Sequence, residues 1–336
     1  MAYKILIIAP SWVGDSVMAQ PLYQRLHEQH KNLQLHVFAP QWTLPVLDRM
    51  EQVFKTYLNP FGHGQLQLFT RFKVAKQLKQ ERFDQAIVLP NSLKSALIPM
   101  FANIPLRTGY IGEARRGILN DARALNETTL PKMVERFYAL AEPESVPIIR
   151  PVPYPVLSIK TEEQQRSLTQ LNLQLDKPII AFCPGAEYGP AKRWPAKYFA
   201  QLAQKFQEAG YNIWLFGSQK DKAIADEINQ LSAHHCINLC GQTNLAQAID
   251  LLALTQLVIC NDSGLMHIAA ALKRPLVALY GSSSPDFTPP LSEEAKILNL
   301  HLECSPCFER ECPLGHLNCL NNLYPDMVWD AAQQFL

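Results

Sequence analysis

Leu257-Val-Ile-Cys-Asn-Asp-Ser-Gly-Leu-Met-His267 is the stretch whose reading decides the fold. Four apolar residues end at a polar turn, and helical spacing follows. The run predicts a buried strand over Gln256–Cys260 and a helix over Ser263–Leu272. A strand that is apolar on both faces belongs to a parallel sheet covered by helices on each side. The N–H groups of residues 263–265, backed by the helix dipole, would form an anion site suited to a diphosphate. Ser263 adds a hydroxyl, and Gly264 permits close approach to the backbone. The alternative is a well-capped helix with Asp262 as its cap and His267 as a structural residue.

The same alternation runs outward in both directions. Downstream, Pro275–Tyr280 reads as a strand. Upstream, Pro178–Cys183 and Tyr211–Phe216 read as strands, and Pro195–Ala209, Lys220–Leu231 and Asn244–Leu254 as helices. The first half shows the pattern again, with strands at Tyr3–Ala9, Leu35–Ala39 and Gln85–Leu89. Its helices are expected at Ser16–His30 (kinked by Pro21), Leu66–Gln80 and Ser92–Ala102, with Lys132–Glu142 closing the half. Between the halves lies Glu142–Pro155, with prolines at 143, 147, 151, 153 and 155, an extended linker. The expectation is two Rossmann-like α/β domains facing a central cleft. They would comprise residues 1–155, with the linker from about 143, and 156–324. A last helix within 325–336 is expected to pack back on the first domain.

Composition agrees. The chain has 336 residues, 48% hydrophobic and 18% charged, which excludes a disordered chain. The formal net charge of +1 gives no basic field for nucleic acid. The 25 prolines have no period. No apolar run reaches the roughly 20 residues needed to cross a bilayer. The N-terminus reads as a first strand rather than a signal peptide, so a cytoplasmic protein is expected. No G-x-G-x-x-G follows that strand, and no Walker A, G-x-S-x-G or H-E-x-x-H occurs, which weighs against the dehydrogenase, P-loop kinase and α/β-hydrolase readings.

Further chemistry sits at predicted strand ends. Gly14-Asp15 offers either a general base or a helix cap, and from position alone the cap reading leads. The polar loop Pro184–Pro195 carries Lys192 and Arg193, able to neutralise a leaving diphosphate or merely solvated beside a packed Trp194. Asp221, in Gly217-Ser-Gln-Lys-Asp221, would accept ribose hydroxyls or cap a helix. Lys94, Arg107, Arg115, Arg116, Arg123, Lys132 and Arg136 would hold an anionic acceptor or form ordinary surface charge. Cys304-x2-Cys307-x4-Cys312-x6-Cys319, with His316 inside, has spacing resembling a small structural zinc site, with free thiols or disulfides as alternatives.

Taken in order, Pro10–Asp15, Leu89–Ser95, Cys183–Pro195, Asn261–His267 and Leu279–Pro290 resemble the type II branch of glycosyltransferase family nine, the ADP-heptose–lipopolysaccharide heptosyltransferases of Gram-negative bacteria. The resemblance covers nearly the whole chain. It implies a GT-B fold and inverting transfer of L-glycero-D-manno-heptose from ADP-heptose to heptose I of the inner core. It implies Asp15 as general base and Lys192 on the diphosphate. The substrate sites would include Ser11, Gly14, Asn91, Lys94, Gly185, Glu187, Ser218, Asp221, Asp262, Ser263, Gly264 and His267. No catalytic cofactor is implied. The acceptor would be lipid A–Kdo–heptose, met in peripheral contact with the inner leaflet of the inner membrane. The competing readings are a type I or III acceptor step, an epimerase that needs no acceptor, and a non-catalytic nucleotide-sugar sensor.

Overall fold

The structure is a computed structural model, in which residues 2–62 and 64–336 are described. The chain divides into two compact units, Met1–Pro155 and Val156–Leu336.

The first unit holds six parallel strands: β1 (Tyr3–Ile8), β2 (Leu33–Ala39), β3 (Lys55–Leu58), β4 (Gln85–Val88), β5 (Leu106–Tyr110) and β6 (Asp121–Arg123). Their order is β3-β2-β1-β4-β5-β6. Strands β1 and β4 lie at its centre, and Ile5 to Ile7 and Ala86 to Val88 are fully buried. The helices are α1 (Val13–Met18), α2 (Gln20–Gln29), α3 (Leu44–Leu47), α4 (Leu68–Leu78), α5 (Leu93–Phe101) and α6 (Met133–Tyr138). The kinked helix expected from Ser16 is in fact two. Ala19 ends α1 and opens α2, and Pro21, which has no N–H to donate, falls in the first turn of α2.

The second unit repeats the plan with β7 (Ile179–Cys183), β8 (Asn212–Leu215), β9 (Cys236–Asn238), β10 (Leu257–Asn261), β11 (Leu276–Leu279) and β12 (Ala295–Leu298). Their order, β12-β11-β10-β7-β8-β9, is that of the first sheet with each strand's counterpart in place. The helices are α7 (Thr161–Gln170), α8 (Ala196–Glu208), α9 (Lys222–Leu231), α10 (Leu245–Leu252), α11 (Gly264–Ala271), α12 (Asn318–Asn321) and α13 (Pro325–Ala332).

Strand order reverses beside the first strand of each sheet, between β1 and β4 and between β7 and β10. At such a switch point the loops leaving the carboxyl ends of the two strands diverge and open a crevice. The last helix contributes to the core of the second unit. Val328, Ala331 and Ala332 of α13 are buried in one core with Trp194, Phe199 and Phe206, and Trp329 packs on Phe206 at 4.9 Å.

Candidate active site

In the second unit, four loops leave the carboxyl ends of the adjacent strands β8, β7, β10 and β11. Asn261, the last residue of β10, ties two of them together. Its side-chain amide donates to the Pro184 carbonyl at 2.7 Å, and its Oδ1 accepts from the Trp194 N–H at 3.1 Å. Trp194 is fully buried and donates its indole N–H to the Leu323 carbonyl at 2.8 Å. The loop from 184 to 194 is therefore anchored at both ends. From it Lys192 reaches Asp262, Nζ to Oδ2 2.5 Å.

Ser263, and not Asp262, is the cap of α11. It has extended backbone angles, and its side chain makes no capping hydrogen bond. Its hydroxyl is buried without a partner, as are Arg193 Nε, His267 Nδ1, Ser282 Oγ and Ser283 Oγ. Leaving one buried polar group unbonded costs about 1–3 kcal/mol. Here five such groups belong to three neighbouring strand-end loops and the helix that follows one of them. That arrangement complements a polar ligand rather than a closed core. Burial pushes the His267 ring down to about 4, so it is neutral at physiological pH. Ser282 and Ser283 lie in the Leu279–Pro290 stretch that carries the resemblance, but were not among the expected site residues. The available signal was the Gly281-Ser-Ser-Ser284 run directly after an apolar strand.

The loop after β8 is held by its own carboxylate. Asp221 Oδ2 accepts from the Ser218 N–H at 2.9 Å and hydroxyl at 2.8 Å. Gly185 packs so tightly here that an added Cβ would lie 2.3 Å from Asp221 Cγ. Glu187 pairs with Lys220 across the two loops.

The cysteine-rich segment serves these loops through its backbone. Ala191 N–H donates to the Arg310 carbonyl at 3.0 Å, Phe308 N–H to the Ser282 carbonyl at 2.6 Å, and Tyr188 hydroxyl to the Phe308 carbonyl at 2.6 Å. Cys304, Cys307, Cys312 and Cys319 are free thiols, close enough that the first three raise the pKa of Cys319 after burial has done so. Among the described residues, however, no three His, Cys, Asp or Glu side chains are gathered so as to hold a metal ion.

In the first unit, Ser11, Gly14 and Asp15 follow β1, and Asn91 and Lys94 follow β4, so both groups flank the switch point. The N-cap position of α1 is Trp12, whose side chain makes no capping hydrogen bond, and Asp15 is third in the helix, in its first turn. Ser11 is exposed, its carbonyl accepting from Trp42 Nε1 at 2.7 Å. Gly14 is buried, and Asp15 half-buried. Four of the proposed acceptor cations are structural instead. Arg115 is fully buried and clamps the Pro90 and Tyr110 carbonyls and Asn91 Oδ1. Arg107 bonds the Ile118 and Ile104 carbonyls, Arg123 pairs with Asp121, and Arg136 bonds the Leu130 carbonyl. Arg116 and Lys132 are exposed, and Lys94 is half-buried.

Known proteins resemble this chain over nearly its whole length. The chain is 47% identical over 342 residues to lipopolysaccharide heptosyltransferase 2 of Escherichia coli K12, covering 99% of this chain and 98% of that protein. It is 49% identical over 345 residues to lipooligosaccharide heptosyltransferase 2 of Haemophilus influenzae, covering 99% of each. The solved structure of E. coli ADP-heptose LPS heptosyltransferase II superposes with a TM-score of 0.89 at 42% identity, covering 99% of this chain and 98% of that one. The two parallel-sheet units are those of the GT-B fold. The model of glycosyltransferase family 9 (heptosyltransferase) matches residues 71–318, and on these findings the chain belongs to that family of glycosyltransferases.

Proposed function

We propose that this enzyme moves heptose from ADP-heptose to the first heptose of a lipopolysaccharide inner core, with inversion at the anomeric carbon. The second unit holds the sugar donor. The observation that carries this reading is the set of five unpartnered buried groups on the loops after β7, β10 and β11 and at the start of α11. Hydroxyls, a guanidinium N–H and a helix N-terminus are the groups that bind a diphosphate. The names of the relatives supply the sugar and the acceptor class.

In the reaction, the acceptor hydroxyl oxygen attacks C1 of the heptose. The bond from C1 to the diphosphate oxygen breaks, and ADP leaves with its electron pair. Asp15 takes the hydroxyl proton. Lys192, with the N–H groups at the start of α11, stabilises the charge gathering on ADP. Ser263, Ser282 and Ser283 orient the diphosphate, neutral His267 serves as a hydrogen-bonding wall, and Asp221 fixes the loop that meets the nucleoside. Among the described residues no helix is long and apolar enough to cross a membrane. The enzyme meets its lipid-linked acceptor from the cytoplasmic side, at the membrane surface.

The test is ADP release from ADP-heptose with and without a core acceptor ending in heptose I. Release that depends on that acceptor supports the reading. Release without any acceptor would instead indicate an epimerase or hydrolase, and binding without release a sensor.

A further inference from the structure

Helix α4 carries two apolar faces. Arg71, Ala75 and Leu78 form the inner one and are buried. Phe69, Phe72, Lys73 and Lys76 form an outer stripe at i, i+3, i+4 and i+7 spacing. Phe69 is 85% exposed and Phe72 54%, and just ahead of them Leu66 is 49% and Leu68 50% exposed. A helix on a water-soluble domain ordinarily shows one apolar stripe, toward its core. A second stripe of aromatics and leucines edged with lysine is the pattern of a helix lying in a lipid interface.

The local structure holds these side chains outward. The Arg71 guanidinium donates to the carbonyls of Leu66 at 2.6 Å, Gln65 at 3.0 Å and Lys94 at 3.1 Å, and sits 3.9 Å over the Phe61 ring. The turn bearing Leu66 is thus tied to the helix start. Phe72 is steadied by Phe101, with ring centroids 5.8 Å apart. Charge is equally one-sided. From Gln52 to Gln80 there is no carboxylate and there are five Lys or Arg, in a chain whose net charge is +1. The rest of the chain is therefore acidic overall; of the five, Lys55 pairs with Glu81 and Arg71 is buried, which leaves, among the described residues, Lys73, Lys76 and Lys79 as the free cations beside the exposed aromatics.

We propose that the outer face of α4, with Leu66 and Leu68, docks on an anionic lipid surface. Phe69 and Phe72 enter the acyl boundary, and Lys73, Lys76 and Lys79 meet the headgroup phosphates. The proposal extends the reading of a lipid-linked acceptor, yet its test uses none. The purified full-length protein is floated with phosphatidylglycerol–phosphatidylethanolamine vesicles and with phosphatidylcholine vesicles. Flotation with the anionic vesicles, weakened by salt, is expected. Phe69→Ser/Phe72→Ser should lower partitioning about tenfold or more, and Lys73→Gln/Lys76→Gln about tenfold on anionic vesicles alone. A Phe69→Trp variant should show blue-shifted emission on the anionic vesicles. Both double variants should keep wild-type transfer to a delipidated core acceptor. Failure of the wild type to float with anionic vesicles overturns the proposal, as does unchanged flotation of both double variants. Self-association that Phe69→Ser abolishes would assign the face to a second copy and overturn it too. If the wild type floats but transfers no heptose, the transferase reading fails and this one stands.

Discussion

Lys192 and Asp262 join the loops after β7 and β10 by an ion pair of 2.5 Å, with Asp262 side-chain exposure at 5% and Lys192 at 17%. The pair stands at the switch point of the second sheet, so under the proposed function the lysine has two roles that a single substitution cannot separate. Lys192→Ala leaves a buried carboxylate unpaired, a loss expected at about 1–3 kcal/mol given the lysine's partial exposure. It should also weaken ADP binding. Lys192→Met/Asp262→Asn should regain most of the stability and none of the affinity. Thermal unfolding and calorimetric titration with ADP check the two effects. Wild-type ADP affinity in the double variant would confine the lysine to structure.

Asp15 follows β1 and stands third in α1, behind Trp12 at the N-cap position. Asp15→Asn keeps the shape and removes the proposed base. The rate should fall roughly 10²–10⁴-fold, with ADP affinity within a factor of about two of wild type. Single-turnover kinetics beside nucleotide titration test this. Turnover close to normal would take Asp15 out of the mechanism.

Gly185 lies against Asp221 with no room for a methyl group, the added Cβ falling 2.3 Å from Cγ. Gly185→Ala should push the carboxylate off Ser218 and loosen the loop after β8. About 1–3 kcal/mol of stability should be lost, with a higher KM for the sugar donor. Unaltered melting temperature and KM would show that the loop yields freely.

Two buried histidines set the response to acid. His36, between Phe54, Tyr57 and Phe83, and His267 beside Asp262 are both held at about 4 by burial. Their folded pKa values lie below the unfolded value near ~6.5, so the unfolded chain binds more protons below that pH. Stability contributed by the neutral rings is therefore full above about pH 6.5 and lost as pH falls toward 4. By pH 5 each should have cost about 2 kcal/mol. Urea unfolding at pH 7 and pH 5 measures the loss, and His36→Phe should flatten the first unit's share. An unchanged slope in that variant would remove His36 from the account.

The central strands were legible because β1, β4, β7 and β10 are apolar on both faces, which leaves a continuous run in the sequence. Strands β3, β6, β9 and β12 lie at sheet edges, are three or four residues long and are largely half-exposed or exposed, so no pattern announced them. Helix α7 was missed because it buries only Ser167 and Leu168. At the candidate site, Ser263 was legible from its strand–turn–helix setting, while Lys192 and His267 entered through the family resemblance. Ser282 and Ser283 were not legible, because a serine run shows nothing of its burial. Arg115 misled for the opposite reason: a loop arginine looks like free charge until three acceptors close around it.

The central claim is a transfer that adds one heptose with inversion, and the product tests it most directly. The enzyme is incubated with ADP-heptose and a core acceptor ending in heptose I, and the acceptor is analysed by mass spectrometry and by the proton NMR of its new anomeric centre. The account predicts one added heptose whose anomeric configuration is opposite to that of the sugar donor. An acceptor of unchanged mass, or a heptose joined with the donor's configuration retained, would contradict it.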